Sequence, residues 1–164
     1  MVLLRSRLHP PGFSMIELMA VVAVIAILST LTLPSLVDRI VRQQIKEAMP
    51  LADIAKAPVA AAWTASAPLP ADNAAAGLPA PEKIVGNHVS AVRVQQGAVH
   101  MTFGNNVSSR IKGKTLSFRP AVVEDARVVP VAWVCGHAKV PGNMSAQGDN
   151  RTDIDKALLP HECR

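Results

Sequence analysis

From Phe13 to Leu33 the chain carries one formal charge, Glu17, in an otherwise apolar run that closes on Pro34. At a helical rise of about 1.5 Å per residue the run spans about 30 Å, the thickness of a bilayer's hydrocarbon core. Residues 13–34 therefore read first as a membrane-spanning helix. An acid inside hydrocarbon costs about 3 kcal/mol on insertion scales and calls for a positive partner, unless it stands at headgroup level and faces water. An uncleaved signal anchor and a secretory signal peptide are the rivals. The apolar core of a signal peptide is only about 7 to 15 residues long and ends at a small-x-small cleavage site, whereas this run is longer and ends in Leu33-Pro34.

Pro34 has no amide proton and its ring crowds the carbonyl of Thr30, so the helix is expected to kink or loosen there. Ser29, Thr30 and Thr32 add hydroxyls at that level. Beyond it Leu36, Val37, Ile40, Val41, Ile45, Ala48 and Met49 recur at near-helical spacing, with Asp38, Arg39, Arg42, Lys46 and Glu47 between them. That pattern predicts an amphipathic continuation of the stem over 35–64. Asp38 and Arg42 stand four apart with the acid first, the favourable order for a surface pair. Pro50 and Pro58 interrupt the later part and predict a second kink near Met49.

Residues 65–87 are rich in Pro and Ala, follow neither period, and read as a long surface loop. Four strands are expected after it: Val89–Gln95 and Ala98–Phe103 around the turn Gln96-Gly97, Thr115–Pro120 after Lys112-Gly113-Lys114, and Val128–Cys135. Short connections between sequential neighbours favour a meander. The fold class is α+β: a long N-terminal helix packed against a four-stranded antiparallel sheet, with 65–164 as one small head. Hydrophobic residues make up 49% of the chain but aromatics only 3%. A core of such small side chains gains from a covalent staple.

Cys135 and Cys163 would provide the staple if they lie beyond a membrane, outside the reducing cytosol, as a disulfide closing the C-terminal loop. Cys135-Gly136-His137 and His161-Glu162-Cys163 also form two mirrored pairs of zinc-ligand types, although one intervening residue is tighter than the usual spacing of about two to four. The other histidines, at 9, 88 and 100, are scattered. No Ser-His-Asp or paired-carboxylate arrangement is readable and no Gly-rich loop precedes a helix, so neither catalysis nor a cofactor is expected. Asp149, Asp153 and Asp155 lack the Gly and Glu of a calcium loop and read as solvated acids, leaving no metal site.

The net charge is +5, and two of the basic residues, Arg5 and Arg7, precede the apolar run. Between Lys83 and Val123 lie Lys83, Arg93, Arg110, Lys112, Lys114 and Arg119, and no acid. Such a face attracts DNA phosphates, meets acids of a neighbouring subunit, or is simply solvated. Arg110, Lys112, Lys114 and Arg119 are the candidate DNA contacts, without an aromatic stacking platform beside them.

Gly12-Phe13-Ser14-Met15-Ile16-Glu17-Leu18, behind a short leader with Arg5, Arg7 and no acid, resembles the class III leader of type IV prepilins and pseudopilins. The resemblance implies a leader peptide at 1–12. A membrane-embedded prepilin peptidase would cut between Gly12 and Phe13 on the cytoplasmic side and methylate the new amino terminus of Phe13. It also implies that the Glu17 carboxylate neutralises that terminus on a neighbouring subunit, a buried ion pair that sets register. Pro10 and Pro11 stand where many prepilins carry Lys or Arg, and Ser14 replaces the commoner Thr. In pilins a proline matching Pro34 marks a part of the stem that can lose helicity as the filament forms.

The loop run Ala-Asp-Asn-Ala-Ala-Ala-Gly-Leu-Pro at 71–79 and the stretch Ile111-Lys112-Gly113-Lys114-Thr115-Leu116-Ser117 extend the resemblance. Trp133-Val134-Cys135-Gly136 and Leu159-Pro160-His161-Glu162-Cys163-Arg164 look like the two ends of the disulfide-bonded D-region of type IVa pilins. The implied protein is a structural subunit, held in the inner membrane as a prepilin and then polymerised into a surface pilus that serves adhesion, twitching motility or DNA uptake. Its implied partners are copies of itself, the prepilin peptidase, the membrane before assembly, and an inner-membrane assembly platform with a cytoplasmic ATPase. A minor pilin or type II secretion pseudopilin is the alternative, and a membrane-anchored DNA-binding module comes third.

Overall fold

A computed structural model of the chain describes residues 12–164, with the side chains of 31–35 excepted. The expected leader, with Arg5, Arg7, Pro10 and Pro11, lies outside the described residues apart from Gly12. Helix α1 covers Met15–Ala48 and runs on through position 34. The chain divides into two compact units, Met1–Val37 and Asp38–Arg164.

In the second unit α1 passes into a 3-10 turn at Met49–Ala52, with Pro50 in its first positions, and then into α2, Asp53–Thr64. The change of helix type is where the second kink was expected. A proline early in a helical turn costs little, because the donor it lacks would have no partner there. Pro58 sits inside α2, yet the helix continues past it, with Ala55, Val59 and Trp63 buried on one face. The buried stripe is Val41, Ile45, Ala48, Ala52, Ala55, Val59 and Trp63, at spacings of three and four. Leu36, Val37 and Ile40, at the start of the same helical pattern, are exposed.

The sheet is a meander in the order β1 (Val89–Gln95), β2 (Ala98–Phe103), β3 (Thr115–Val122), β4 (Ala132–Cys135), antiparallel throughout. Gln96 and Gly97 both have positive φ, 48° and 80°, the signature of the two-residue turn whose twist suits a hairpin. Val92, Val94, Val99, Met101, Phe103, Leu116 and Phe118 alternate along β1 to β3 and pack with the helical stripe from Val41 to Val59 into one core. Strand β3 runs two residues past Pro120. The Pro120 carbonyl accepts from the amide of Gln147, beside a two-residue strand β5 (Ser145–Ala146) that takes over the β2 side of β3 at Ala121 and Val122. The missing proline donor falls where one neighbour ends and the next begins.

Strand β4 begins at Ala132 and not at Val128. Residues 123–129 form turns closed by Ala126 N–H to Val123 O (3.2 Å) and Val129 N–H to Ala126 O (3.0 Å), with Val128 exposed. Pro130 cannot donate to a ladder. Arg127 stacks 4.3 Å from the Trp63 ring, tying the turn to α2. Propensity favoured a strand in Val-Val-Pro-Val, and these tertiary contacts override it.

The loop over 65–87 is fastened to the free edge of β1 by Asn73, which is buried. Val94 N–H donates to Asn73 Oδ1 (2.6 Å), and Asn73 Nδ2 donates to the carbonyls of Val92 and Pro79 (3.0 Å each). One side chain thus stands in for a neighbouring strand and closes an edge that would otherwise pair with another chain. Asn73→Ala leaves the buried Val94 N–H without its acceptor and is expected to cost about 2–3 kcal/mol. A urea midpoint equal to that of the parent would show that water replaces the amide.

Candidate functional site

The N-terminal stretch is apolar on every side. Gly12 to Ser14 precede any regular element, and α1 starts at Met15, with the amides of Glu17 and Leu18 both donating to Ser14 O. Phe13 is 80% exposed, and Met15, Ile16, Met19, Val22, Ile25 and Leu28 are exposed around the whole circumference of the helix. A helix that is hydrophobic all round belongs inside something. The hydroxyls of Ser29 and Thr30 donate to the carbonyls of Ile25 and Ile27 (2.7 Å each), so they enter an apolar surrounding already satisfied. Glu17 is exposed, and among the described residues its carboxylate has no ion-pair partner within the chain.

Among the described residues no helix is long and apolar enough to cross a membrane. The span expected over 13–34 runs into residues 31–35, whose side chains lie outside the described set.

At the other end of the chain Cys135 and Cys163, 28 positions apart, are joined in a disulfide. The zinc alternative fails because both thiols are consumed. Gly136 has φ +54°, and a Cβ there would lie 2.6 Å from the carbonyl oxygen of Cys163, so the Cys-Gly pair is what allows the terminal turn to close on β4. His137 N–H donates to that same carbonyl (3.0 Å). Within the closed loop, Ile154, Leu158 and Leu159 enter the common core.

The loop also straps the outer face of the sheet. It joins β3 on the β2 side at 145–147, then crosses to the β4 side. There Asp153 exchanges hydrogen bonds with Thr115, and Thr152 Oγ1 accepts from Ser117 N–H. Between those points Arg151 N–H donates to Ser117 Oγ (2.8 Å), which in turn meets His100 Nδ1 at 2.9 Å. His100 and Ser117 are opposite one another on β2 and β3, and both are buried.

The chain is similar to known proteins along most of its length. The family model for pilin, a bacterial filament protein, matches residues 41–164. The chain belongs to the pilin family. Two similar relatives are a type IV major pilin protein PilE1 of Neisseria gonorrhoeae, 35% identical over 159 residues (93% of this chain and 86% of the relative), and a fimbrial protein of Neisseria meningitidis, 34% identical over 162 residues (93% of each). A fimbrial protein EcpC of Eikenella corrodens is 31% identical over 158 residues, covering 93% of this chain and 90% of the relative.

In this pilin the basic residues singled out between β1 and β3 are not a bare patch. Arg110 pairs with Asp38, Lys114 with Asp153 (3.6 Å) and Arg93 with Glu82 (3.6 Å). Lys112 is exposed, and Arg119 is half-buried with an Nε that has no partner. Arg42 does not pair with Asp38 but donates to the carbonyl of Ala157 (2.7 Å). An exposed pair four residues apart is worth only a few tenths of a kcal/mol, so partners distant in sequence displace it readily.

His100 is a feature of the pilin that spacing did not reveal. Its pKa is lowered from 6.5 to about 4, first by burial and then by Arg151, with Arg93 adding and Asp149 opposing. The unfolded chain takes up this proton near pH 6.5 and the folded pilin only near pH 4. The stability held by neutral His100 is therefore complete above about pH 6.5 and is lost as pH falls toward 4, by up to about 3 kcal/mol. His100→Gln should flatten the fall in urea midpoint between pH 7 and pH 4. A variant as acid-sensitive as the parent would place that sensitivity in other groups.

Proposed function

We propose that this pilin is the structural subunit of a type IV pilus. The observation that carries the reading is the first part of α1, apolar and exposed on every side from Met15 to Thr30, with one acid in its first turn. Such a surface is stable only among lipid tails or among identical helices. In the proposed sequence of events, the chain is stored in the inner membrane and cut between Gly12 and Phe13 by a prepilin peptidase, which methylates Phe13. An assembly platform with a cytoplasmic ATPase then docks it into the filament.

Glu17 takes the ammonium of Phe13 on the neighbouring subunit as its partner. Pro34 supplies a stretch of stem able to loosen as helices pack. Adhesion, twitching motility and DNA uptake are then properties of the polymer, and the role is structural, not catalytic. The relatives named as major pilins favour this reading over a pseudopilin. Ion pairing at Arg110 and Lys114 leaves a DNA contact there with little free charge.

The deciding experiment is an intact mass of the protein in material sheared from the surface of native cells. A species that begins at Phe13, heavier by one methyl group and lighter by two hydrogens, is expected. A chain that still begins at Met1, or one absent from that fraction, would overturn the reading.

A further inference from the structure

Arg39, Arg42 and Lys46 recur on α1 at spacings of three and four, and the terminal turn brings His161 and Arg164 to the same cavity, of about 410 Å³. No side chain lining it is acidic. Two of the guanidiniums converge on a single oxygen. Arg42 Nη1 donates to the Ala157 carbonyl at 2.7 Å and Arg164 Nη2 to the same carbonyl at 3.3 Å, while Arg164 Nε donates to Leu159 O at 3.0 Å. Each guanidinium carries five donors in a planar fork, so these bonds fix both groups and leave most donors unused.

Like charges held together in this way repel unless an anion lies between them. Asp38, Asp153 and Glu82, which compensate other basic residues, are engaged elsewhere. Glu162 lines a different cavity that shares Lys46. Among the described residues none of the five basic groups takes part in an ion pair. The position of the cluster is also informative. It follows the apolar segment within a few residues, on the flank where a membrane protein with a cytoplasmic N-terminus ordinarily avoids Lys and Arg. Charge retained there against that bias finds a partner in phosphate oxygens, which guanidiniums bind through paired hydrogen bonds.

We propose that this cavity is a phosphate-binding site that takes the headgroup of an anionic phospholipid while the subunit waits in the membrane. The lipid source rests on the membrane stage of the reading above. The phosphate chemistry rests on the cavity alone. Two fixed guanidiniums grip the phosphate oxygens, and Arg39 and Lys46 close over them from the exposed side of α1.

The test uses the full processed chain in non-ionic detergent, followed by NMR amide shifts during titration with short-chain phosphatidylglycerol. Short-chain phosphatidylcholine is the net-neutral control and inorganic phosphate the second arm. Phosphatidylglycerol should give saturable shifts confined to 39–46 and 157–164, absent with phosphatidylcholine. Arg39→Gln combined with Lys46→Gln removes two exposed charges that hold no hydrogen bond among the described residues, and should weaken binding about tenfold or more. The charge-matched pair Lys83→Gln with Lys112→Gln should leave it unchanged.

Equal shifts with inorganic phosphate support a site that reads phosphate from either source, and a response to the lipid alone supports the headgroup. Silence with both ligands overturns the proposal, as does equal weakening by the two double variants, which would mark diffuse attraction. Shifts that grow with protein concentration in place of lipid would assign the cavity to acids of a second copy and also overturn it. Because the assay reads isolated protein, a chain that binds here yet is missing from sheared filaments would defeat the filament reading and leave the phosphate site standing.

Discussion

Glu17→Ala is expected to leave cleavage after Gly12 intact while nearly abolishing incorporation into filaments. On the proposed reading the cut would depend on the residues around Gly12-Phe13, whereas assembly would depend on a charge pair formed when the helix leaves its lipid surroundings. Removing one member of a buried pair strands the other, and such truncations cost about 3–5 kcal/mol, more than a hundredfold in docking equilibrium. Among the described residues the Glu17 carboxylate has no ion-pair partner in its own chain, so nothing there compensates for the loss. Glu17→Gln, which keeps a hydrogen-bonding group and drops the charge, should fall nearly as far. The ratio of sheared to membrane-held protein reads both variants. Wild-type amounts of assembled Glu17→Ala would remove the ion pair from the account.

Replacing both Cys135 and Cys163 by Ser should lower the stability of the folded unit by about 3–4 kcal/mol, the chain-entropy value for a loop of this size. The damage is expected to begin at the C-terminal end. The closed loop contributes Ile154, Leu158 and Leu159 to the core, and it carries the carbonyl of Ala157 on which Arg42 and Arg164 both rest. The strap over Ser117 and His100 would fray with it, and proteolysis should start between 136 and 163. Urea midpoints and timed digestion measure this. Protease resistance equal to that of the parent would make the bridge dispensable, with loop packing alone closing the head.

The two experiments address opposite ends of the chain, and the ends differ in how far they could be read from residues. The stem declared itself through one long apolar run and one acid, because a surface of that kind has few physical outlets. The hairpin declared itself at Gln96-Gly97, because positive φ at two successive positions is a local demand that few residue pairs meet. The Ala98–Phe103 and Val89–Gln95 strands follow from alternation around that turn. The pairing of Cys135 with Cys163 needed only the presence of two cysteines and an oxidising compartment.

What stayed hidden was decided at a distance. Nothing local distinguishes Asn73 from the other polar residues of a Pro- and Ala-rich loop. Its role exists because β1 is an edge strand and Val94 N–H needs an acceptor. Val128–Val131 has strand-like residues and still stays out of the sheet, because Arg127 finds Trp63 and Pro130 cannot join a ladder. Leu36, Val37 and Ile40 share a helical pattern with Val41 and Ile45, yet the first three are exposed and only the last two are buried. Asp38 and Arg42 had the spacing of a pair and found better partners far along the chain. Periodicity, turn chemistry and the run of apolar residues are short-range quantities, and they determined the stem, the hairpin and the α+β class. Which faces are covered, which charges are compensated and which histidine is held neutral depend on residues brought together from up to 115 positions apart, as Arg42 and Ala157 are, and only the packed structure decides them.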